Sequence, residues 1–329
     1  MPLQECLPGE LRGPSTSISK MTGGLSGAGV YRVDAAGHAY VLKVAREGVS
    51  IDAWRQSLEI QRRAGDAGLA PRVIHHDEVR RAIVSEHVVN RGFMPRLFHP
   101  RTRDAAIREL GQTIRKLHAL PLPPHAAVRD PREMIASVQA ELASFAVPRF
   151  VRDAIDRVLA ETPPQQRPLV TSHNDLNPSN LVLDGERILL LDWDAAGPND
   201  PFHDLATVAL FLRMDDAAAS ALVAAYDAAS ATPSPDPHPA SPARSGRGVE
   251  PIATLEGLLY ARRLVAAQCA TIFLRLARGA GHAGGDVPAD RAPTLGDVHG
   301  LIGIGALSPG SADGAWAFAL ALARTITDR

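Results

Sequence analysis

The apolar residues in the first quarter of the chain occur in short runs that have the spacing of strands. The clearest runs lie at 30–33, 40–44 and 82–84. Between them, the segment from Ile51 to Ala67 has the apolar spacing of a helix and is terminated before Pro71. We therefore expect residues 1–88 to form a small lobe that contains an antiparallel sheet and one helix.

From about residue 102 the apolar spacing becomes helical and remains so over most of the chain. One face of the first such helix carries Ile107, Leu110, Ile114 and Leu117. Further helices are predicted at 131–145, 147–159, 201–213, 216–229 and 251–278, with a final helix that ends near residue 327. Residues 89–329 are thus expected to form a larger, mostly helical lobe, and the fold class is α+β.

Two segments of the second lobe lack a regular apolar spacing. Residues 231–248 are rich in Pro, Ser and Ala, which is typical of a disordered linker or surface loop. Residues 279–314 are rich in Gly, and we interpret them either as a lid over an acceptor site or as a mobile connector.

A polar loop interrupts the helices and has the spacing H-x-D-x-x-x-x-N, from His173 to Asn180. A short β-hairpin follows, with its turn at Asp184-Gly185, and its second strand runs directly into Asp192. Because a hairpin brings its two ends together, Asn180 and Asp192 are expected to lie close to each other. This order of residues is typical of a phosphoryl-transfer centre, although Asn, Asp, Pro and Ser are also common in ordinary turns.

Phosphoryl transfer depends on positioning an acceptor oxygen and on neutralising charge, and each polar residue of the loop has a candidate role in this. Asp175 is the candidate catalytic base, which accepts or orients the hydroxyl proton. Asn180 and Asp192 are the candidate magnesium ligands, because Mg²⁺ prefers oxygen donors and retains several waters. For His173 we favour a structural role, with a hydrogen bond to the backbone.

A kinase-type site also needs a glycine-rich loop and a lysine on a strand, and both occur in the first lobe. Gly23, Gly24 and Ser26 precede a strand-like run, and glycines allow backbone N–H groups to approach phosphate oxygens. Lys43 alternates with apolar neighbours and would reach the phosphates of a nucleotide. Glu59, on the predicted helix, is the candidate partner of Lys43. The alternative for the glycine-rich segment is an ordinary turn, and the alternative for Glu59 is a solvated charge on the helix surface.

The segment that follows the third strand-like run is the candidate adenine-binding hinge. It consists of Glu86, His87 and Val88, whose backbone groups would face the base of the nucleotide. The side chains of such a hinge need no particular chemistry.

Taken together, these residues resemble the choline/ethanolamine kinase and aminoglycoside phosphotransferase superfamily, the small-molecule relatives of protein kinases. The segments that carry the resemblance are Gly23-Gly24-Leu25-Ser26, Val41-Leu42-Lys43-Val44, Glu59, Leu110-Gly111 through Leu117-His118, His173 to Asn180 and Leu191-Asp192-Trp193-Asp194. The stretch from Ala196 to Ala206 is similar to the G-x-N-D-P-x-x-D-L-A stretch of bacterial choline and thiamine kinase-like proteins.

The resemblance implies a protein-kinase-like two-lobed fold, with ATP and Mg²⁺ as cofactors. It implies the same roles for Asp175, Asn180 and Asp192, and it implies that Asp204 braces the catalytic loop. Three features depart from the usual pattern: the glycine loop carries Gly27-Ala28-Gly29 where relatives often have an Asn, Asp194 replaces a common Glu, and Ala195 stands where choline kinases usually carry Tyr. The last change weakens the assignment of choline as the acceptor.

The expected activity is transfer of the γ-phosphate of ATP to a hydroxyl of a small metabolite, as in choline and ethanolamine kinases. The alternatives are an aminoglycoside kinase, a thiamine-type kinase and a nucleotide-binding pseudokinase with a regulatory role. A quaternary ammonium is best bound by aromatic ring faces, and the chain has few aromatic residues after Phe211.

Composition excludes several other classes of protein. The chain has 35 Lys and Arg against 36 Asp and Glu, and its basic stretches are not interleaved with aromatics, which argues against a nucleic-acid partner. Two cysteines, Cys6 and Cys269, are too few for a disulfide framework or a zinc site. No apolar run has the length of a signal core or a membrane span, so we expect a cytoplasmic enzyme without a membrane partner.

Overall fold

The structure is a computed structural model that describes residues 2–21, 27–89, 91, 93–124, 126–128, 130–164, 167–185, 187–228 and 255–327. The predicted linker at 231–248 lies outside the described residues, and so does the start of the helix predicted at 251–278. The candidate loop residues Gly23, Gly24 and Ser26 also lie outside them.

The N-terminal part of the described chain is built on an antiparallel sheet. Its strands are β1 (Ser17–Lys20), β2 (Gly29–Ala35), β3 (His38–Val44), β4 (Val73–Asp77) and β5 (Ala82–Glu86). They lie in the order β1-β2-β3-β5-β4, and Lys43 of β3 is opposite Val30 of β2 and Ile83 of β5. On β3 the neighbouring Leu42 is fully buried, so the alternation of a strand directs Lys43 to the other face of the sheet.

One helix, α1 (Ile51–Asp66), packs beside this sheet. Ser50 caps its first turn, because the Ser50 side chain accepts a hydrogen bond from the backbone N–H of Ala53. The helix ends before Gly68, which adopts a positive φ of 70° that is costly for other residues. The sheet and the single helix confirm the architecture predicted for the first lobe.

The rest of the described chain is mostly helical. Its helices are α2 (Phe93–Phe98), α3 (Arg103–His118), α4 (Pro131–Glu141), α5 (Arg149–Ala160), α6 (Pro201–Phe211), α7 (Asp216–Ala228), α8 (Leu255–Gly279), α9 (Leu295–Gly303) and α10 (Ala312–Thr327). The buried apolar residues of these helices form one continuous hydrophobic core. Within the described residues, none of the helices is both long enough and apolar enough to cross a membrane.

Two small β-structures lie between α5 and α6. The strands β6 (Val170–Ser172) and β9 (Gly197–Asn199) pair with each other, and β7 (Leu181–Asp184) pairs with β8 (Arg187–Leu190). The second pair is the hairpin predicted from the sequence, and its register places Leu181 opposite Leu190. The loop that precedes β7 and the residues that follow β8 are therefore brought together.

The glycine-rich stretch at 279–314 differs from the sequence prediction, because it contains α9. A capping box starts this helix: the Thr294 side chain accepts from the backbone N–H of Asp297, and the Asp297 side chain accepts from the backbone N–H of Thr294. Such a box satisfies two backbone donors that would otherwise lack partners. The high glycine content concealed this start signal.

The contact between α3 and α7 depends on Gly111. A Cβ atom at this position would lie 2.8 Å from the backbone oxygen of Leu222 and 2.9 Å from the Cβ of Ala225. Both are closer than van der Waals contact allows, and one of them belongs to the backbone. The glycine therefore permits a close approach of the two helices that a larger residue would prevent.

We expect Gly111→Ala to destabilise the protein by about 1–3 kcal/mol, because overpacking at this contact outweighs the better helix propensity of Ala. Gly300→Ala in α9 is the matched control, since a Cβ there meets nothing within 4 Å. The control should be neutral or slightly stabilising. Chemical denaturation measures both variants, and a Gly111→Ala protein as stable as the wild type would contradict the role of the glycine.

Candidate active site

The catalytic loop predicted from the sequence, 173–180, connects β6 to β7. Asn174 has a positive φ of 65°, which turns the chain sharply at the start of the loop. Its side-chain amide donates to the backbone oxygen of Ala195 at 3.0 Å, and its Oδ1 accepts from the side chain of Asn199 at 2.8 Å. Asn174 therefore ties the loop to the segment that follows Asp192.

The carboxylate of Asp204, on α6, holds the start of this loop. It accepts hydrogen bonds from the backbone N–H groups of His173 and Asn174, both at 2.8 Å, and a third from Nε2 of His118 at 3.0 Å. Burial alone would raise the pKa of Asp204, but the hydrogen bond and charge of His118 and the nearby histidines hold this pKa well below its usual range. Asp204 thus braces the loop as an ionised acid.

His173 has the structural role that the sequence analysis favoured. Its ring is buried against Trp193, with the ring centroids 4.6 Å apart, and its Nε2 lies 2.9 Å from the backbone oxygen of Leu191. Burial lowers the pKa of His173, which favours a neutral ring that donates to this carbonyl. The contact links the catalytic loop to the residue immediately before Asp192.

Asp175 projects from the loop into a partly buried position. Asn177 donates to its Oδ1 at 3.0 Å, and the side chain of Asn180 donates to its Oδ2 at 3.1 Å and to its backbone oxygen at 2.8 Å. Burial raises the pKa of Asp175 to about 6, in spite of the opposing hydrogen bonds from Asn177 and Asn180. A carboxylate with a pKa in this range is well matched to accepting a proton near neutral pH.

Asn180 and Asp192 lie at the two ends of the β7–β8 hairpin, as predicted. The backbone N–H of Leu191 donates to the backbone oxygen of Asn180 at 2.9 Å, which fixes the separation of the two chain segments. Asp192 has a positive φ of 63°, a conformation that is uncommon for residues other than glycine. Sparsely populated backbone conformations of this kind cluster at functional sites.

Lys43 reaches across from the sheet to the end of the hairpin. Its Nζ lies 2.5 Å from Oδ1 of Asp192 and 2.7 Å from Oδ1 of Asp194. Burial lowers the pKa of Lys43, but the two carboxylates reverse this and hold the pKa above its ordinary value. Asp194 was not among the candidate site residues, although its position two residues after Asp192 would have been a usable signal.

Glu59 is not the partner of Lys43 in this structure, which corrects the sequence prediction. Its carboxylate pairs with Arg63, one turn further along α1, and its side chain is about half exposed. Glu59 lies about 200° around the helix from Ser57, which faces the candidate site. The residues of α1 that contact this region are the neutral Gln56 and Ser57, described next.

Hydrogen bonds join α1 to the segment that follows Asp192. The Ser57 hydroxyl donates to the backbone oxygen of Trp193 at 3.0 Å, and the Gln56 side chain donates to the backbone oxygen of Ala196 at 3.2 Å. Gln56 also accepts from the backbone N–H of Ala127 at 2.9 Å. These neutral groups hold the part of the helix that lies beside the candidate site, and Arg63 adds a hydrogen bond to the backbone oxygen of Pro121 at 2.6 Å.

The predicted hinge, Glu86, His87 and Val88, directly follows β5. The backbone N–H groups of Glu86 and His87 donate to the backbone oxygens of Arg72 and Ala39, at 3.0 and 3.3 Å. Among the described residues, none accepts a hydrogen bond from the backbone N–H of Val88. Val88 is thus the hinge residue whose amide is available to a ligand.

The arrangement brings the Asp175 carboxylate, the Asn180 amide, the carboxylates of Asp192 and Asp194 and the Lys43 ammonium group to the junction between the sheet and the helical lobe. The described part of the chain has no cluster of three or more His, Cys, Asp and Glu side chains that would form a complete metal cage. A site of this kind can instead supply a few oxygen ligands to an ion that is also bound by phosphates.

Comparisons with known proteins agree with this geometry. A model of the phosphotransferase enzyme family (APH) matches residues 17–242. The crystal structure of a choline/ethanolamine kinase family protein from Mesorhizobium loti has a TM-score of 0.54 and 19% identity, covering 96% of this chain and 94% of that chain. A crystal structure of LicA in complex with AMP has a TM-score of 0.56 and 15% identity, covering 80% of this chain and 85% of that chain.

The similarity to curated sequences is more local. Protein LicA from Haemophilus influenzae is 39% identical over 54 residues, which are 16% of this chain and 20% of that protein. The solved structures, at these identities, establish a two-lobed kinase-like fold. They confirm the fold class inferred from the sequence, and the family model confirms the resemblance. Since the family model covers residues 17–242 of the 329 residues, the chain belongs to the phosphotransferase enzyme family.

Proposed function

We propose that this protein is a small-molecule kinase that transfers the γ-phosphate of ATP to a hydroxyl group of a small metabolite. The observation that carries the proposal is the convergence of Asp175, Asn180, Asp192 and Lys43 at one junction. The same four residues argue against a pseudokinase, because a dead kinase usually lacks one of them. Membership of a phosphotransferase family supports the same reaction class.

Asp175 acts as the base in this proposal. Its carboxylate is held by Asn177 and Asn180, and burial raises its pKa to about 6, so that it accepts a proton more readily than an exposed carboxylate. The acceptor hydroxyl would donate its proton to Asp175 while its oxygen attacks the phosphorus. Asp175 therefore orients the acceptor as well as increasing its nucleophilicity.

Asn180 and Asp192 would hold magnesium, and their chemistry fits this ion. The Asn180 amide nitrogen donates to Asp175, so its Oδ1 remains as the ligand atom, and Asp192 offers a carboxylate that already attracts a cation, the ammonium of Lys43. The bound metal would neutralise the charge that develops on the phosphate oxygens. Lys43 would then turn from Asp192 toward the phosphates.

We propose that residues 1–88 form the nucleotide-binding lobe and residues 89–329 the lobe that carries the catalytic loop and the acceptor site. The solved LicA complex with AMP supports a nucleotide in this fold. Val88, with its available backbone N–H, would bind the adenine at the hinge, while Gly23, Gly24 and Ser26 would cover the phosphates.

The aromatic residues bear on the class of acceptor. Five aromatic residues follow Phe211, and each already has a partner or a place in the core: Tyr226, Tyr260, Phe273, Trp316 and Phe318. The rings of Phe273 and Phe318 stack on each other at 4.6 Å, and Trp316 stacks on His282 at 4.3 Å. A quaternary ammonium needs accessible ring faces, so this packing favours an acceptor such as ethanolamine, whose amine keeps its N–H donors, over choline.

A direct experiment is a screen of thermal shift and phosphorylation with MgATP over choline, ethanolamine, thiamine, sugars and aminoglycosides. The expected result is ADP release that depends on one class of hydroxyl acceptor, with ethanolamine preferred to choline. A higher kcat/KM for choline would overturn the acceptor class and leave the kinase activity intact. Failure to bind ATP would overturn the proposed function itself.

Replacement of Asp175 tests the base. We expect Asp175→Asn to lower kcat by about 10²–10⁴, because the amide cannot accept the proton, and to leave nucleotide affinity nearly unchanged. Asp184→Asn is the matched control: Asp184 lies at the turn of the neighbouring hairpin, where it is half exposed and pairs with Arg187. Steady-state kinetics and ATP titration measure both effects, and an unchanged kcat would remove Asp175 from this role.

Replacement of Asp192 tests the metal site. We expect Asp192→Asn to weaken ATP binding by at least about 10-fold in the presence of Mg²⁺, since a metal ligand is lost. With EDTA the variant and the wild type should bind ATP much more similarly. Calorimetric titration with and without Mg²⁺ makes the comparison, again with Asp184→Asn as the control. Equal magnesium dependence in Asp192→Asn and wild type would count against the assignment.

A further inference from the structure

The most buried tyrosine of the helical lobe is connected to the catalytic loop. Tyr226, on α7, is fully buried, and its hydroxyl lies 2.9 Å from Nδ1 of His118 on α3. Nε2 of the same histidine lies 3.0 Å from the carboxylate of Asp204, which holds the backbone of His173 and Asn174. A chain of hydrogen bonds therefore runs from Tyr226 to the residue immediately before Asp175.

The two ends of this chain of hydrogen bonds have fixed directions. Asp204 is ionised and can only accept, so Nε2 of His118 carries a proton and donates to it. At the other end, Arg115 can only donate, and its guanidinium lies 3.4 Å from the Tyr226 oxygen and 5.4 Å from the ring centroid. The Tyr226 oxygen accepts from Arg115 and is also hydrogen-bonded to Nδ1 of His118 at 2.9 Å.

Packing brings these groups together. The close contact at Gly111 allows α7 to approach α3, since a Cβ there would lie 3.0 Å from the backbone nitrogen of Tyr226. The side chains of His118 and Asp204 are inaccessible to solvent, so water cannot replace a missing donor easily. Loss of one donor would leave a buried polar group unsatisfied, which is costly and loosens its neighbours.

The connection matters because Asp204 sets the position of the base. Its two oxygens fix the backbone N–H groups of His173 and Asn174, and Asn174 in turn contacts Ala195 in the segment after Asp192. A small displacement of this brace moves Asp175 relative to Asp192. In phosphoryl transfer, a misplacement of about 1 Å can cost 10²-fold in rate.

We propose that Tyr226 and His118 are positioning residues for phosphoryl transfer. Tyr226 fixes the orientation of the His118 ring, and His118 supplies the donor that keeps Asp204 oriented toward the catalytic loop. The inference rests on the proposed function, because it concerns the placement of the base in that reaction. It assigns a catalytic consequence to residues that are not among the proposed base, metal ligands and phosphate-binding lysine.

The test compares Tyr226→Phe, His118→Gln and His118→Leu in the full chain. The probe reaction is ADP release from MgATP, measured with ethanolamine and with water as the acceptor, and kcat is normalised to the number of ADP-binding sites. The control is Tyr260→Phe. Tyr260 lies on α8 and accepts a hydrogen bond from Arg132 at 2.8 Å, but it does not belong to the hydrogen-bonded series from Tyr226 to the catalytic loop. Because kcat is expressed per ADP-binding site, unfolded protein does not lower the measured value.

We expect Tyr226→Phe to lower kcat roughly 3- to 10-fold, the worth of one hydrogen bond, with KM for ATP unchanged. His118→Leu should lower kcat by about 10²-fold, while His118→Gln, whose amide can donate to Asp204, should recover much of the loss. Tyr260→Phe should retain the kcat of the wild type.

The inference would be overturned if Tyr226→Phe has the same kcat per binding site as the wild type and only a lower Tm. This outcome is decisive even if His118→Leu does not fold. Equal kcat values for His118→Gln and His118→Leu would also overturn it. A wild-type protein that binds ADP and releases none from MgATP would overturn the proposed function and the inference with it.

Discussion

The carboxylate of Asp204 lies in the interior of the helical lobe, where an ionised acid is stable only if hydrogen-bond donors replace water. Three donors do so: the backbone N–H groups of His173 and Asn174, and Nε2 of His118. They also constrain two different elements, since His118 belongs to α3 and the two amides begin the catalytic loop. The need to satisfy one buried charge thus determines where this loop starts and how it is oriented.

The remaining site follows from that anchor together with the β7–β8 hairpin. The hairpin brings the Asn180 end of the loop to Asp192, and His173 adds a contact to the backbone oxygen of Leu191. Lys43 then joins the sheet to the same point through Asp192 and Asp194. Local turns and the two long-range ion pairs of Lys43 are sufficient to assemble the proposed base, metal ligands and phosphate-binding lysine from three separate parts of the chain.

The sequence predicted the features that depend on neighbouring residues. The hairpin at Asp184-Gly185, the sheet with one helix, and most helices follow from apolar spacing and turn residues. Contacts between distant residues were harder to predict. Lys43 and Asp192 are 149 positions apart and His118 and Tyr226 are 108 apart, and neither pairing follows from local pattern. Glu59 was assigned to Lys43 because it lies on the right helix, but which face of α1 meets the loop depends on tertiary packing.

The attachment of α1 to the helical lobe has a consequence for control of the enzyme. Gln56 and Ser57 fasten this helix to the backbone at Trp193 and Ala196 through uncharged groups, so neither a change of pH nor the removal of one ion would release it. Many kinases are switched on and off by swinging the corresponding helix away from the cleft. A helix held by these uncharged hydrogen bonds offers no such switch through protonation or ion binding.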